Sequence, residues 1–167
     1  MSMRRLCLTL LAALVAVPAA VAASHTAGDG VLELRAVYGN VAVVGTRGIV
    51  YGQMDSGKLI VTDPLGGDGG IFVSGAERTR PGLNDDVTIY AGKNIHFRVT
   101  GGKYKLQFVH GSGIDFTAVG VGTALLTGDL TAEDTGQYAI DGGKWIEVPW
   151  LQRSVTFGEQ PVLVPAP

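Results

Sequence analysis

From residue 31 onward the chain shows no sustained 3.6-residue apolar period. Its apolar residues fall instead in short runs, most of them four to eight residues long, broken by Gly, Asp or Asn. The runs are rich in β-branched and aromatic side chains, and they read as strands over 31–37, 40–44, 48–53, 58–62, 71–74, 87–91, 95–100, 103–109, 114–119, 123–127, 137–140 and 145–148. Such regular spacing predicts an all-β domain, either an antiparallel β-sandwich or a small partly closed β-barrel.

The clearest alternation lies between Ile95 and Val109. Apolar and polar residues alternate on either side of Gly101-Gly102: Ile95, Phe97 and Val99, then Tyr104, Leu106 and Phe108, against Asn94, His96, Arg98 and Thr100, then Lys103, Lys105 and Gln107. A hairpin turning at Gly101-Gly102 would place Val99 opposite Tyr104 and Arg98 opposite Lys105, with one apolar and one polar face. The polar face would then gather Lys93, His96, Arg98, Lys103 and Lys105 into a basic cluster suited to an anionic polymer, a phosphate or a sugar acid. An ordinary solvated face explains the same residues.

The first 22 residues follow a different plan. Arg4 and Arg5 precede the apolar run Leu6 to Val17; Pro18 breaks it and Ala20-Val21-Ala22 supplies small residues. This is the layout of a secretory signal, and the run is shorter than the about 20 residues of a spanning helix. The expected organisation is a signal-peptide helix over 1–22, a flexible leader over 23–30, a single β domain over 31–157 and an extended tail over 158–167. The expected location is secreted or extracytoplasmic, with no membrane span in the mature chain. Cys7 is the only cysteine and lies in the signal, so the domain is expected to hold together without a disulfide.

Charge adds one exclusion. The 167 residues carry 13 Lys and Arg against 15 Asp and Glu; removing Arg4 and Arg5 leaves 11 against 15, a balance of −4. That argues against bulk electrostatic binding of nucleic acid.

All 25 glycines fall after the signal, with no G-X-Y period. At this density, between β-branched runs, they predict tight turns. There is also an internal echo: Gly48-Ile49-Val50-Tyr51 is followed by Gly57, and Gly113-Ile114-Asp115-Phe116 by Gly122, nine residues on in both cases. Two related meanders facing each other would account for it, as would chance likeness between glycine-rich segments. The run Gly92 to Tyr104, with Gly111-Ser112-Gly113-Ile114-Asp115-Phe116-Thr117-Ala118-Val119-Gly120, resembles a family of glycine-rich secreted proteins of actinobacteria, over roughly residues 39–128. The resemblance implies an all-β secreted protein and brings no functional residues with it. Asp134-Thr135-Gly136-Gln137-Tyr138 is similar to the tyrosine corner of immunoglobulin-like domains, which implies a strand starting near Tyr138. The family's cysteine position holds Ile140, and Trp145 and Trp150 follow the motif where that family has its tryptophan before it.

Candidate chemistry is sparse. Cleavage after Ala22 would expose Ala23-Ser24-His25, whose amine, two amides and imidazole form a square-planar set for Cu(II) or Ni(II). A polar leader without ligands is the plainer reading. The turn Asp63-Pro64-Leu65-Gly66-Gly67-Asp68-Gly69-Gly70 carries carboxylates but fits no calcium-loop spacing. His110-Gly111-Ser112-Gly113 lacks the glycine two residues before the serine that a nucleophile elbow needs. No cofactor motif is present. The sequence is read as a secreted non-catalytic module, structural or binding an anionic envelope polymer or a surface protein. Two alternatives are kept: a secreted hydrolase with a scattered carboxylate and His site, and metal binding at the mature N-terminus. A binding module should gather exposed aromatic or basic residues on one sheet face; a hydrolase should show a deep cleft holding carboxylates.

Overall fold

The computed structural model describes residues 26–67 and 69–159. They form seven antiparallel strands: β1 (Gly30–Thr62), β2 (Gly70–Pro81), β3 (Val87–Gly101), β4 (Tyr104–Gly128), β5 (Gln137–Ile140), β6 (Ile146–Glu147) and β7 (Arg153–Phe157). The sheet runs β2-β3-β1-β4-β7, with β5 on β1 and β6 on β5, and it does not close into a barrel.

β1 and β4 are far longer than ordinary strands because each bends and continues. Residues 30–37 of β1 pair with 114–120 of β4. Residues 39–45 lie between 104–111 and 122–128, so that Val41 faces both Phe108 and Leu126. Residues 48–53 lie between 115–120 and residues 95–101 of β3; residues 58–62 lie between 105–109 and residues 87–91 of β3. The two long strands are thus wound into each other, and successive arms fall alternately into two facing layers. One layer holds β5, 30–37, 112–120, 48–54, 95–101 and 70–74; the other holds β7, 122–128, 39–45, 104–110, 57–62, 87–92 and 76–81. Strands that pass from layer to layer at bends are the usual way to make the corners of such a packing.

The bends explain the glycines. Gly48 (φ 125°) faces Gly120 (φ 140°), and both strands change layer there. A side chain on Gly48 would collide with the Val119 carbonyl oxygen, and one on Gly120 with that of Arg47. Only glycine combines this φ with so close a backbone approach. The sequence reading of glycines as turns between separate strands is corrected here: at Gly48 and Gly120 they are corners inside one strand.

The core lies between the layers. Leu32, Val50, Leu59, Ile95, Leu106, Ile114, Ala118, Ala124 and Leu126 are fully buried there. Phe97 and Phe116 from the first layer meet Phe108 from the second, with ring centroids 5.1 Å (Phe97–Phe108), 5.5 Å (Phe108–Phe116) and 6.5 Å (Phe97–Phe116) apart. Such offset and edge contacts add to area burial.

The parities expected for 95–109 hold: Ile95, Phe97, Val99, Tyr104, Leu106 and Phe108 are all buried, while His96, Arg98, Lys103 and Lys105 are exposed. The hairpin register does not. Residues 95–101 pair with 48–54 and with 70–74, whereas 104–109 pair with arms of β1. Residues 101–103 cross from one layer to the other instead of reversing in the plane of the sheet. Both segments then turn their apolar side to the same core from opposite directions, so alternation alone cannot distinguish the arch from a hairpin.

At the chain ends, Arg47 bonds the Asp29 carboxylate at 3.0 Å and donates to the Ala27 carbonyl at 3.2 Å. The Glu159 N–H donates to the Gly28 carbonyl at 2.7 Å, so the two ends of the described chain lie together.

Candidate binding face

The polar parity of the first layer forms two rows across the strands. In one, Glu33 faces Thr117, Thr117 faces Tyr51, Tyr51 faces Arg98 and Arg98 faces Phe72. In the other, Asp115 faces Gln53, Gln53 faces His96 and His96 faces Ser74. The intervening positions point inward, as Leu34, Val50, Phe97 and Phe116 do. Period-two alternation therefore separates core from face on the same strands.

Apart from Ser74, these residues line one open depression of about 570 Å³, walled on one side by Phe72 and on the other by Trp145. Trp145 comes from the β5–β6 connection. The start of that connection is fixed to β1 by two bonds: the Val31 N–H donates to Asp141 Oδ1 at 2.7 Å and the Asp141 N–H to the Val31 carbonyl at 2.8 Å. The Arg35 guanidinium stacks on the indole, 4.2 Å from the ring centroid, which holds both groups at the rim. Phe72 is 63% exposed and Tyr51 40%, so two large rings lie open to a ligand.

The charges of the depression are balanced, and both carboxylates lie at the end that also holds Arg35. Glu33 and Asp115 lie on neighbouring arms of β1 and β4, and Arg98 and His96 lie together on β3. Asp115 has a structural duty as well. One of its oxygens accepts the Ala36 N–H at 3.0 Å, fixing the bulge where Ala36 takes a φ of 50°.

Of the basic residues gathered by the predicted hairpin, only His96 and Arg98 line this face. Lys105 sits in the second layer opposite Val44 and Thr62; Lys103 lies at the start of the same arm; Lys93 is at a bend opposite Ser56. The crossing at 101–103 is what separates them. Arg98 consequently has Tyr51 and Phe72 beside it rather than Lys105. Sequence reasoning missed Glu33, Arg35, Tyr51, Gln53, Phe72, Asp115, Thr117 and Trp145. The outward parity of Glu33, Arg35, Gln53, Asp115 and Thr117 is legible as polar positions between apolar ones; Phe72, in an apolar run, and Trp145, outside any strand, carry no such signal, and which arms are neighbours was not legible.

The remaining candidates fall elsewhere. Ala23, Ser24 and His25 and the signal segment lie outside the described residues, as does Asp68. Among the described residues no three His, Cys, Asp or Glu side chains form a group able to hold a metal ion. Ser112 hydrogen-bonds the Ser56 hydroxyl at 2.7 Å, and the His110 N–H is held by Asn40 Oδ1 at 2.9 Å, at a bend inside β4. No protein-family model, curated protein or solved structure matches this chain.

Proposed function

We propose that this is a secreted, non-catalytic binding module whose outer first-layer face receives a hydroxyl-rich envelope polymer, a glycan laid across the strands. The observation that carries this reading is the aligned row Glu33, Thr117, Tyr51, Arg98 and Phe72, which starts on the arm beside Trp145 and ends at the exposed Phe72 ring. Aromatic faces accept the C–H side of a sugar ring through their negative π-surface, while the flanking carboxylates, amide and guanidinium bond its hydroxyls. The depression is open to solvent above the row, with Trp145 and Phe72 at its two ends.

The test is affinity electrophoresis of the secreted chain through gels containing cell-envelope polysaccharide fractions. Retardation by at least one fraction is expected, with Trp145→Ala and Tyr51→Ala each weakening it about tenfold and leaving thermal unfolding unchanged. Retardation that is absent throughout, or indifferent to both substitutions, overturns the reading. A second reading, hydrolysis of the same polymer by Glu33 and Asp115 with His96, has their shared depression in its favour; release of new reducing ends would establish it. The openness of the site and the bond from Asp115 to Ala36 weigh against it.

A further inference from the structure

Resting on that binding reading, we infer that the face selects an acidic glycan in which a carboxylate-bearing sugar sits at Arg98 and neutral, hydroxyl-rich sugars extend from it toward Glu33 and Asp115. Three observations converge. First, Arg98 is an exposed cation with no bound counter-charge: among the described residues the one ion pair is Arg47–Asp29, and the two guanidinium–ring contacts belong to Arg35 and Arg153. Arg35, the other cation of the depression, is stacked on Trp145. Second, Arg98 is flanked across the strands by Tyr51 and Phe72. A planar guanidinium between two rings can grip a carboxylate through two parallel N–H···O bonds while the rings cover the sugar. Third, the negative groups are displaced to one side. Glu33 is three strand positions from Arg98 along the row, or roughly 14 Å at the usual strand spacing. Arg35 shares that side but is committed to the Trp145 ring, so a carboxylate there would meet Glu33 and Asp115, whereas a hydroxyl would find an acceptor.

The charge order of the row therefore matches a polymer alternating acidic and neutral units better than one with a carboxylate on every sugar. It also excludes a dense polyanion, which would be repelled by Glu33 and Asp115.

Isothermal titration with three octasaccharides tests this: hyaluronan, which alternates a uronate with a neutral amino sugar; the same octasaccharide with its carboxyls reduced to alcohols; and oligogalacturonate. Hyaluronan is expected to bind at least about tenfold more tightly than either of the others, with an affinity that falls as salt rises. Arg98→Gln should remove both the preference and the salt dependence, and Arg98→Lys should restore the salt dependence with only part of the affinity. Equal binding of the acidic and reduced octasaccharides, or tightest binding of oligogalacturonate, overturns the inference and leaves the glycan-binding reading standing. A chain that binds none of the three and no envelope fraction loses both.

Discussion

Tyr104 offers a sharp test of the packing. Its side chain is 3% exposed, and its hydroxyl is the only buried side-chain polar atom among the described residues without a hydrogen-bond partner. The ring lies over Gly45, its partner on β1, and a side chain at Gly45 would run into it. The ring thus gains burial at the cost of stranding its hydroxyl. An unsatisfied buried donor costs about 1–3 kcal/mol, so Tyr104→Phe, which deletes that atom and keeps the ring, should raise stability by about 1–2 kcal/mol. In urea denaturation this appears as a higher midpoint with an unchanged m-value. The same desolvation drives the Tyr104 pKa well above the usual tyrosine value. The folded state then keeps its phenol proton while the unfolded chain, with a tyrosine pKa of about 10, gives it up. The stability of the neutral phenol is fully present below about pH 10 and is lost above it, by up to about 1.4 kcal/mol per pH unit. The wild-type chain should therefore lose stability above pH 10 more steeply than Tyr104→Phe. A destabilised phenylalanine variant, or parallel alkaline limbs, would refute the reasoning, since either requires that the hydroxyl be bonded in the fold.

Two further substitutions probe the framework. Gly48→Ala should destabilise by more than about 2 kcal/mol in chemical denaturation, because it adds both positive-φ strain and a collision with the Val119 carbonyl. Thr135→Val should cost about 1–2 kcal/mol, since the buried Thr135 hydroxyl donates to the Val148 carbonyl at 2.6 Å and its loss leaves that oxygen unpaired.

Much of the fold was legible in the sequence, and the limit falls at a definite physical point. Strand positions follow from local chemistry, so 40–44, 95–100 and 114–119 were placed without long-range information. Parity followed too: Phe97 and Leu106 are inward and Arg98 and Lys105 outward. What local chemistry does not encode is whether a glycine reverses the chain in the sheet plane or turns it into the opposite layer. Gly101 has a φ of 146° and Gly120 one of 140°, and composition reads both as turns. The candidate face depends on that distinction, because it decides whether Arg98 lies beside Lys105 or beside Tyr51 and Phe72. Residues 153–157 were missed for another reason. Arg153, Ser154 and Thr156 leave only Val155 and Phe157 as apolar markers, and the edge strand β7 needs no more, since it buries just those two.

The winding of β1 into β4 ties the candidate face to the core without making either depend on the other's side chains. Leu32, Ala118, Val50 and Val99 form an inward row one residue away from the outward row Glu33, Thr117, Tyr51 and Arg98. A one-residue slip at any of these pairings would bury charge and expose the core, so the apolar contacts fix the register of the face. Within that register the outward side chains are free to change, because none of them fills the space between the layers. Arg98, Tyr51 and Trp145 can be replaced with little effect on folding, and loss of binding in such variants then reports on recognition rather than on the fold. The exception is Asp115, whose bond to the Ala36 N–H belongs to the bulge as well as to the face. Substitution there should disturb stability and binding together, a coupling that its neighbours in the rows do not share.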